Sequence, residues 1–187
     1  MSTIKNNDGK SLYLDCFSGI SGDMFLGAML DLGLNVEQFL GELKKLPLHD
    51  YEVEIKKALK GGITGIDVII KTHEHHPHRG LKQIYEIIDG SKLKPEVKQK
   101  SKEAFYKLAV VEGGIHGKPP EEIHFHEVGA VDSIVDIVGA FILMDMLKPC
   151  HVYASAINVG SGTVKCAHGI LPVPAPATMK LLKGVPV

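Results

Sequence analysis

The 187-residue chain has no tryptophan, no Cys-x-x-Cys pair and no excess of charge of either sign. The missing Cys-x-x-Cys pair removes the common structural-zinc and dithiol readings. The 21 Lys and Arg against 22 Asp and Glu leave a formal net charge of −1, so there is no electrostatic footprint for nucleic acid or an anionic membrane. No apolar run reaches the length that spans a bilayer, and the polar first ten residues lack the apolar segment of a signal peptide. The three cysteines, Cys16, Cys150 and Cys166, are odd in number and widely spaced, which fits free thiols in a reducing compartment. Cytoplasm is therefore the expected location. At 44% hydrophobic and 23% charged residues, the composition is that of a soluble globular protein with one good core. We expect a flexible extension over residues 1–10 and one domain over 11–187.

Hydrophobic periodicity predicts alternating strands and helices. A strand over 11–15 leads through a Gly-containing turn into a helix with Met24, Phe25, Ala28, Met29 and Leu32 as its apolar stripe and Gly33 as its cap. A helix over 36–46 follows. Strands over 51–59 and 63–72 flank Gly61-Gly62 as a hairpin. Amphipathic helices are expected over 81–89 and 95–112, the second stopped by Gly113-Gly114. The most apolar helix, 131–147, should be central. Short strands over 152–159 and 163–167 surround Gly160-Ser161-Gly162, and a proline-rich extended segment leads to a last short helix ending near Lys183. This is an α/β pattern with a mixed β-sheet and packed helices.

Two strings carry metal-binding chemistry. In Glu122-Ile123-His124-Phe125-His126-Glu127-Val128-Gly129-Ala130-Val131-Asp132-Ser133, period-two alternation puts His124 and His126 on one side of an extended segment, with Glu127 and Asp132 nearby. Two imidazoles with a carboxylate form a metal-ligand or acid–base set. The plainer alternative is a pair of half-buried histidines at a strand edge; the second carboxylate and the second string favour metal. That string, His73-Glu74-His75-His76-Pro77-His78-Arg79-Gly80, places four histidines within six positions. Pro77 and Gly80 oppose regular structure, so it reads as a mobile His-rich loop at the hairpin's end that binds divalent metal loosely. The plainer alternative is a polar surface loop.

Asp15 closes the first strand at its carboxyl end, where ligands gather in open α/β sheets. Ser18, Gly19, Ser21, Gly22 and Asp23 form the following turn and helix start, suited to a phosphate or carboxylate, although the spacing is neither Gly-x-Gly-x-x-Gly nor a P-loop. Ser21 or Asp23 also reads as a simple N-cap. Asp132 and Asp136 share a helix face, and Ser133-Ile134-Val135-Asp136 reads as a capping box that occupies one of the two acids. His168, in Cys166-Ala167-His168-Gly169, becomes a ligand only where the fold brings it near His124 and His126.

Leu12-Tyr13-Leu14-Asp15-Cys16-Phe17-Ser18-Gly19-Ile20-Ser21-Gly22-Asp23-Met24 resembles the opening of the nickel-insertion (LarC) family. The run from His124 to Gly139, Gly160-Ser161-Gly162, Cys166-Ala167-His168-Gly169 and Pro172-Val173-Pro174-Ala175-Pro176-Ala177-Thr178 resemble it too, so the likeness spans the chain from Leu12 onwards. The resemblance implies a lyase-type chelatase that inserts Ni2+ into pyridinium-3,5-bisthiocarboxylic acid mononucleotide, forming one nickel–carbon and two nickel–sulfur bonds. The family reaction uses CTP with Mg2+ or Mn2+, associated with a C-terminal region that this chain lacks. That region, in the same chain or as a separate polypeptide, is the expected partner, and homo-oligomerisation is left open. On this reading His73, His75, His76 and His78 gather nickel, His124, His126 and His168 hold it, and Asp15, Glu127 or Asp132 supplies catalytic carboxylate. The alternatives are a metal-dependent hydrolase of a phosphorylated substrate and a non-catalytic nickel-binding module.

Overall fold

The computed structural model describes residues 9–49, 51–72, 79–125, 128–166 and 169–187. Strand β1 (Ser11–Leu14) leads to helices α1 (Gly22–Asp31) and α2 (Val36–Leu43). Strands β2 (Tyr51–Lys60) and β3 (Ile63–Thr72) form the hairpin, followed by β4 (Arg79–Gly80), α3 (Leu81–Gly90) and α4 (Pro95–His116). Then come β5 (His124–Phe125), α5 (Val131–Leu147), β6 (His151–Ala154), β7 (Thr163–Cys166), β8 (Gly169–Pro172) and α6 (Pro176–Leu181). The α/β expectation holds. Among the described residues strands of both senses occur, distributed over four two-stranded sheets: β1–β6 is parallel, while β2–β3, β4–β5 and β7–β8 are antiparallel.

Helix α5 is the centre of the core, as its apolar sequence requires. It buries Val131, Ile134, Val135, Val138, Ile142, Leu143 and Leu147, against which α1, α2, α4 and β3 pack. From α1 come Leu26, Met29 and Leu30; from α2, Phe39 and Leu43; from α4, Phe105 and Ala109. The hairpin lies against α1, with Val68 buried and Tyr51, Val53 and Ile55 half-buried on the inner face. Gly27 makes that approach feasible, because a Cβ there would lie 2.4 Å from the Ile66 carbonyl oxygen.

Three local expectations are corrected. Helix α4 runs through Gly113-Gly114 to His116 and ends at Gly117, which takes the left-handed conformation (φ 67°). Gly113 instead allows close packing: a Cβ there would meet the Lys118 carbonyl oxygen at 2.5 Å. Strand β6 stops at Ala154, because the Ser155 and Asn158 side chains take over hydrogen bonding to the segment after β1. The capping box does not form: α5 begins two residues before Ser133, with Ala130 at its N-cap, and Asp132 Oδ1 accepts the Ser133 N–H at 2.7 Å. Asp136 therefore lies inside the helix with no capping duty.

Candidate active site

The short β4–β5 ladder joins the two His-rich strings. Arg79, directly after the tract, pairs with Phe125, and Gly80 pairs with His124. Phe125 is buried, its ring centroid 6.3 Å from that of Phe105, and this anchors the strand. Alternation then turns His124 outward, and it is exposed. The Arg79 guanidinium donates through Nη1 to the Gly129 carbonyl at 2.9 Å, and its partial burial lowers its pKa from the ordinary value. Gly129 is buried in the same knot, where a Cβ would come within 3.0 Å of the carbonyl oxygens of both Arg79 and Phe125. The end of the His tract, the start of the His124 string and the approach to α5 are thus fastened at one place.

Seven histidines are metal candidates from the sequence, and only His124 is among the described residues; His73, His75, His76, His78, His126 and His168 lie outside them, as does Glu127. Among the described residues no group of three or more His, Cys, Asp or Glu is arranged to hold a metal ion.

The acids meet where α1 and α5 begin. A Cβ on Gly22 would sit 2.3 Å from Asp136 Cγ, so only glycine admits the two helices this closely. Asp136 Oδ1 is enclosed and has no hydrogen-bond partner among the described residues. Burial raises its carboxyl from the ordinary 3.8 to about 6, helped by the negative charges of Asp23 and then Asp132. Asp132 and Asp23 are themselves exposed. Ser21 is the N-cap residue of α1, but its hydroxyl donates to the Asp23 carboxylate and accepts no backbone N–H, so it does not cap the helix through its side chain. Asp15 is exposed at the carboxyl end of β1, and Ser18 is exposed in the turn after it.

The turn between β1 and α1 is held from the far end of the chain. Ser155 Oγ accepts the Cys16 N–H at 2.8 Å, and Ser155 N–H donates to the Leu14 carbonyl at 2.9 Å. Asn158 donates to the carbonyls of Phe17, through Nδ2 at 2.9 Å, and Cys16, through its N–H at 3.1 Å. Gly19, at φ 84°, closes the turn with its N–H on the Cys16 carbonyl at 3.0 Å. Asn158 Oδ1 also accepts the Gly160 N–H at 3.0 Å, which fixes the start of the Gly160-Ser161-Gly162 segment.

Residues 12–187 match the family model described as nickel insertion protein. The chain belongs to that family. It is 54% identical over 178 residues to a pyridinium-3,5-bisthiocarboxylic acid mononucleotide nickel insertion protein of Desulfitobacterium hafniense, covering 95% of this chain and 44% of the relative. It is 49% identical over 188 residues to a protein of that name from Geobacillus kaustophilus, covering 95% and 46%. The chain therefore spans a little under half the length of these relatives. No solved structure matches it.

In this member of the nickel insertion family, three of the strings that carry the resemblance touch: the start of α1 meets α5 at Gly22 and Asp136, and the turn before α1 meets the loop after β6 at Ser155 and Asn158. Asp136, which the sequence offers as a capping-box acid and not as a site residue, is the carboxylate that the fold places here. The signal for it was present in its four-residue spacing from Asp132; what could not be read was that Gly22 would seat another helix against it. Among the described residues no helix is long and apolar enough to cross a membrane.

Proposed function

We propose that this chain is the nickel-handling half of an enzyme that inserts Ni2+ into pyridinium-3,5-bisthiocarboxylic acid mononucleotide, the substrate printed in the names of its relatives. The observation that supports it is the joining of the two His-rich strings by the β4–β5 ladder beside the acid-bearing start of α5. His73, His75, His76 and His78 collect nickel. His124, His126 and Glu127, with His168, hold it for transfer. Imidazole suits Ni2+, and an exposed His124 on an anchored strand is available to an incoming ion.

Forming the nickel–carbon bond replaces a ring proton by nickel, so a base must take that proton. Asp136 suits the task better than Asp15 or Asp132, because a carboxyl with a pKa of about 6 is mostly ionised at neutral pH and still basic enough to accept a proton. Burial chiefly sustains that value, with repulsion from Asp23 and then Asp132 adding to it. Three carboxylates around the start of α1 oppose a bare phosphate at Gly19, Ser21 and Gly22, so the mononucleotide phosphate enters there only with a cation beside it. CTP and its Mg2+ or Mn2+ are assigned to the part of the relatives that has no counterpart in this chain.

The test supplies precursor, nickel and Mg–CTP to this chain, to the second half of the Desulfitobacterium relative, and to both, and reads the nickel-containing product by mass. Product with both halves and with neither alone is expected. Cleavage of simple phosphoesters with no nickel-containing product would replace this reading with a hydrolase.

A further inference from the structure

Among the described residues the β1–β6 sheet is parallel and has two strands, and parallel sheets are ordinarily covered on both faces. Here one face is bare: Tyr13 is 62% exposed and Tyr153 56%. Among the described residues β1 pairs with β6 alone, so its other edge carries unpaired backbone groups. Beside that edge runs an apolar groove of about 210 Å³ lined by Tyr13, Ile20, Met24, Ala28 and Leu32. Met24 and Ala28 lie four residues apart on α1, Ile20 just before the helix and Leu32 at its C-cap continue the same spacing, and Leu26 and Leu30 are buried. Helix α1 is thus apolar on two sides and covered on one, as a helix between two layers would be.

We infer that this edge and groove receive an extended apolar segment from the second half found in the longer relatives, adding a strand to β1 and covering Ile20, Met24 and Leu32. The occupant is chosen on two observations. More than half of each relative lies outside its match to this chain, and the match runs to residue 187. The Pro186 carbonyl accepts the Ile157 N–H at 3.0 Å, so a polypeptide continuing past Val187, as in the relatives, starts beside the end of this sheet. Strand addition supplies backbone hydrogen bonds for affinity, and the groove supplies side-chain selection. The inference rests on the proposed division of labour between the two halves.

The test is hydrogen exchange on the 187-residue chain and on the same chain joined at Val187 to the second half of the Desulfitobacterium relative. The amides of Ser11–Leu14 should exchange about 10-fold more slowly, or better, in the joined protein. Met24→Glu in the joined protein should return them to the rate of the short chain. The natural full-length relative provides a second reading through its aligned strand, whether or not the joined protein folds. Unchanged exchange in both overturns the inference. So does a short chain that sediments as a dimer with β1 already protected, since a second copy would then be the occupant. Nickel insertion is assayed on the same preparations. Product formed with β1 unprotected sinks the docking face and leaves the function; protection without product does the reverse.

Discussion

Replacing Asp136 by Asn should stabilise the protein at neutral pH while stopping the chemistry. The carboxyl is raised from 3.8 to about 6 by burial and by Asp23 and Asp132. An acid with a raised folded-state pKa favours folding below its unfolded value, and that contribution is lost as pH climbs through the folded value. Stability should therefore fall between about pH 4 and pH 6 in the native protein and stay lower above that window. The full shift would correspond to ~3 kcal/mol at about 1.4 kcal/mol per unit. Asp136 is only partly buried, and screening reduces this to ~1–2 kcal/mol. Asp136→Asn removes the charge at nearly constant shape, so at pH 7.5 it should gain that amount, or ~2–8 °C in Tm for a chain of this size. At pH 4 the gain should vanish. Thermal melts of both proteins from pH 4 to 8 measure the difference. Insertion by the variant, with the second half present, should drop by ~100-fold or more, the usual worth of a general base. An equal Tm difference at pH 4 and 7.5 would refute the electrostatic argument, and retained activity would remove Asp136 from the chemistry.

Gly22→Ala should cost ~1–3 kcal/mol in denaturant unfolding, since its Cβ would overlap Asp136, and Asp136→Ala in the same protein should recover most of the loss. Asn158→Ala removes an anchor of the β1–α1 turn and should cost ~1 kcal/mol, read by the same unfolding curves. Replacing His73, His75, His76 and His78 together should lower nickel stoichiometry and slow insertion by ~10-fold at scarce nickel, as expected for loss of local concentration. Saturating nickel should restore the rate; a variant inactive at every nickel concentration would place the tract in the reaction centre itself.

Much of the architecture was legible because α5 is apolar nearly throughout, α1 is rich in apolar residues and the β2–β3 hairpin flanks a Gly61-Gly62 turn. Helix α5 was readable to the residue, since its apolar run begins at Val131 and ends at Leu147. Glycines misled where packing, not termination, was their role. Gly113 looked like a helix stop and is a close contact with Lys118. The capping box failed for a related reason: Ser133 has the right spacing to Asp136, but the backbone entered the helix at Val131, leaving Ser133 already inside it. The sequence shows the site residues singly, and their grouping depends on contacts of long sequence separation. The reach of Ser155 and Asn158 to Cys16 and Phe17, and of Gly22 to Asp136, leaves no trace in local periodicity. The pairing of β4 with β5 is likewise a two-residue ladder too short to be seen as alternation.

The most direct test of the central claim, that nickel is handed to the precursor at the junction between β5 and α5, is single-turnover insertion by His126→Ala at saturating nickel with the second half present. Loss of the nickel-containing product with an unchanged Tm is the predicted result. A normal yield of product, or a collapse in Tm with insertion retained by the folded fraction, would contradict it and make the His124 string a structural element.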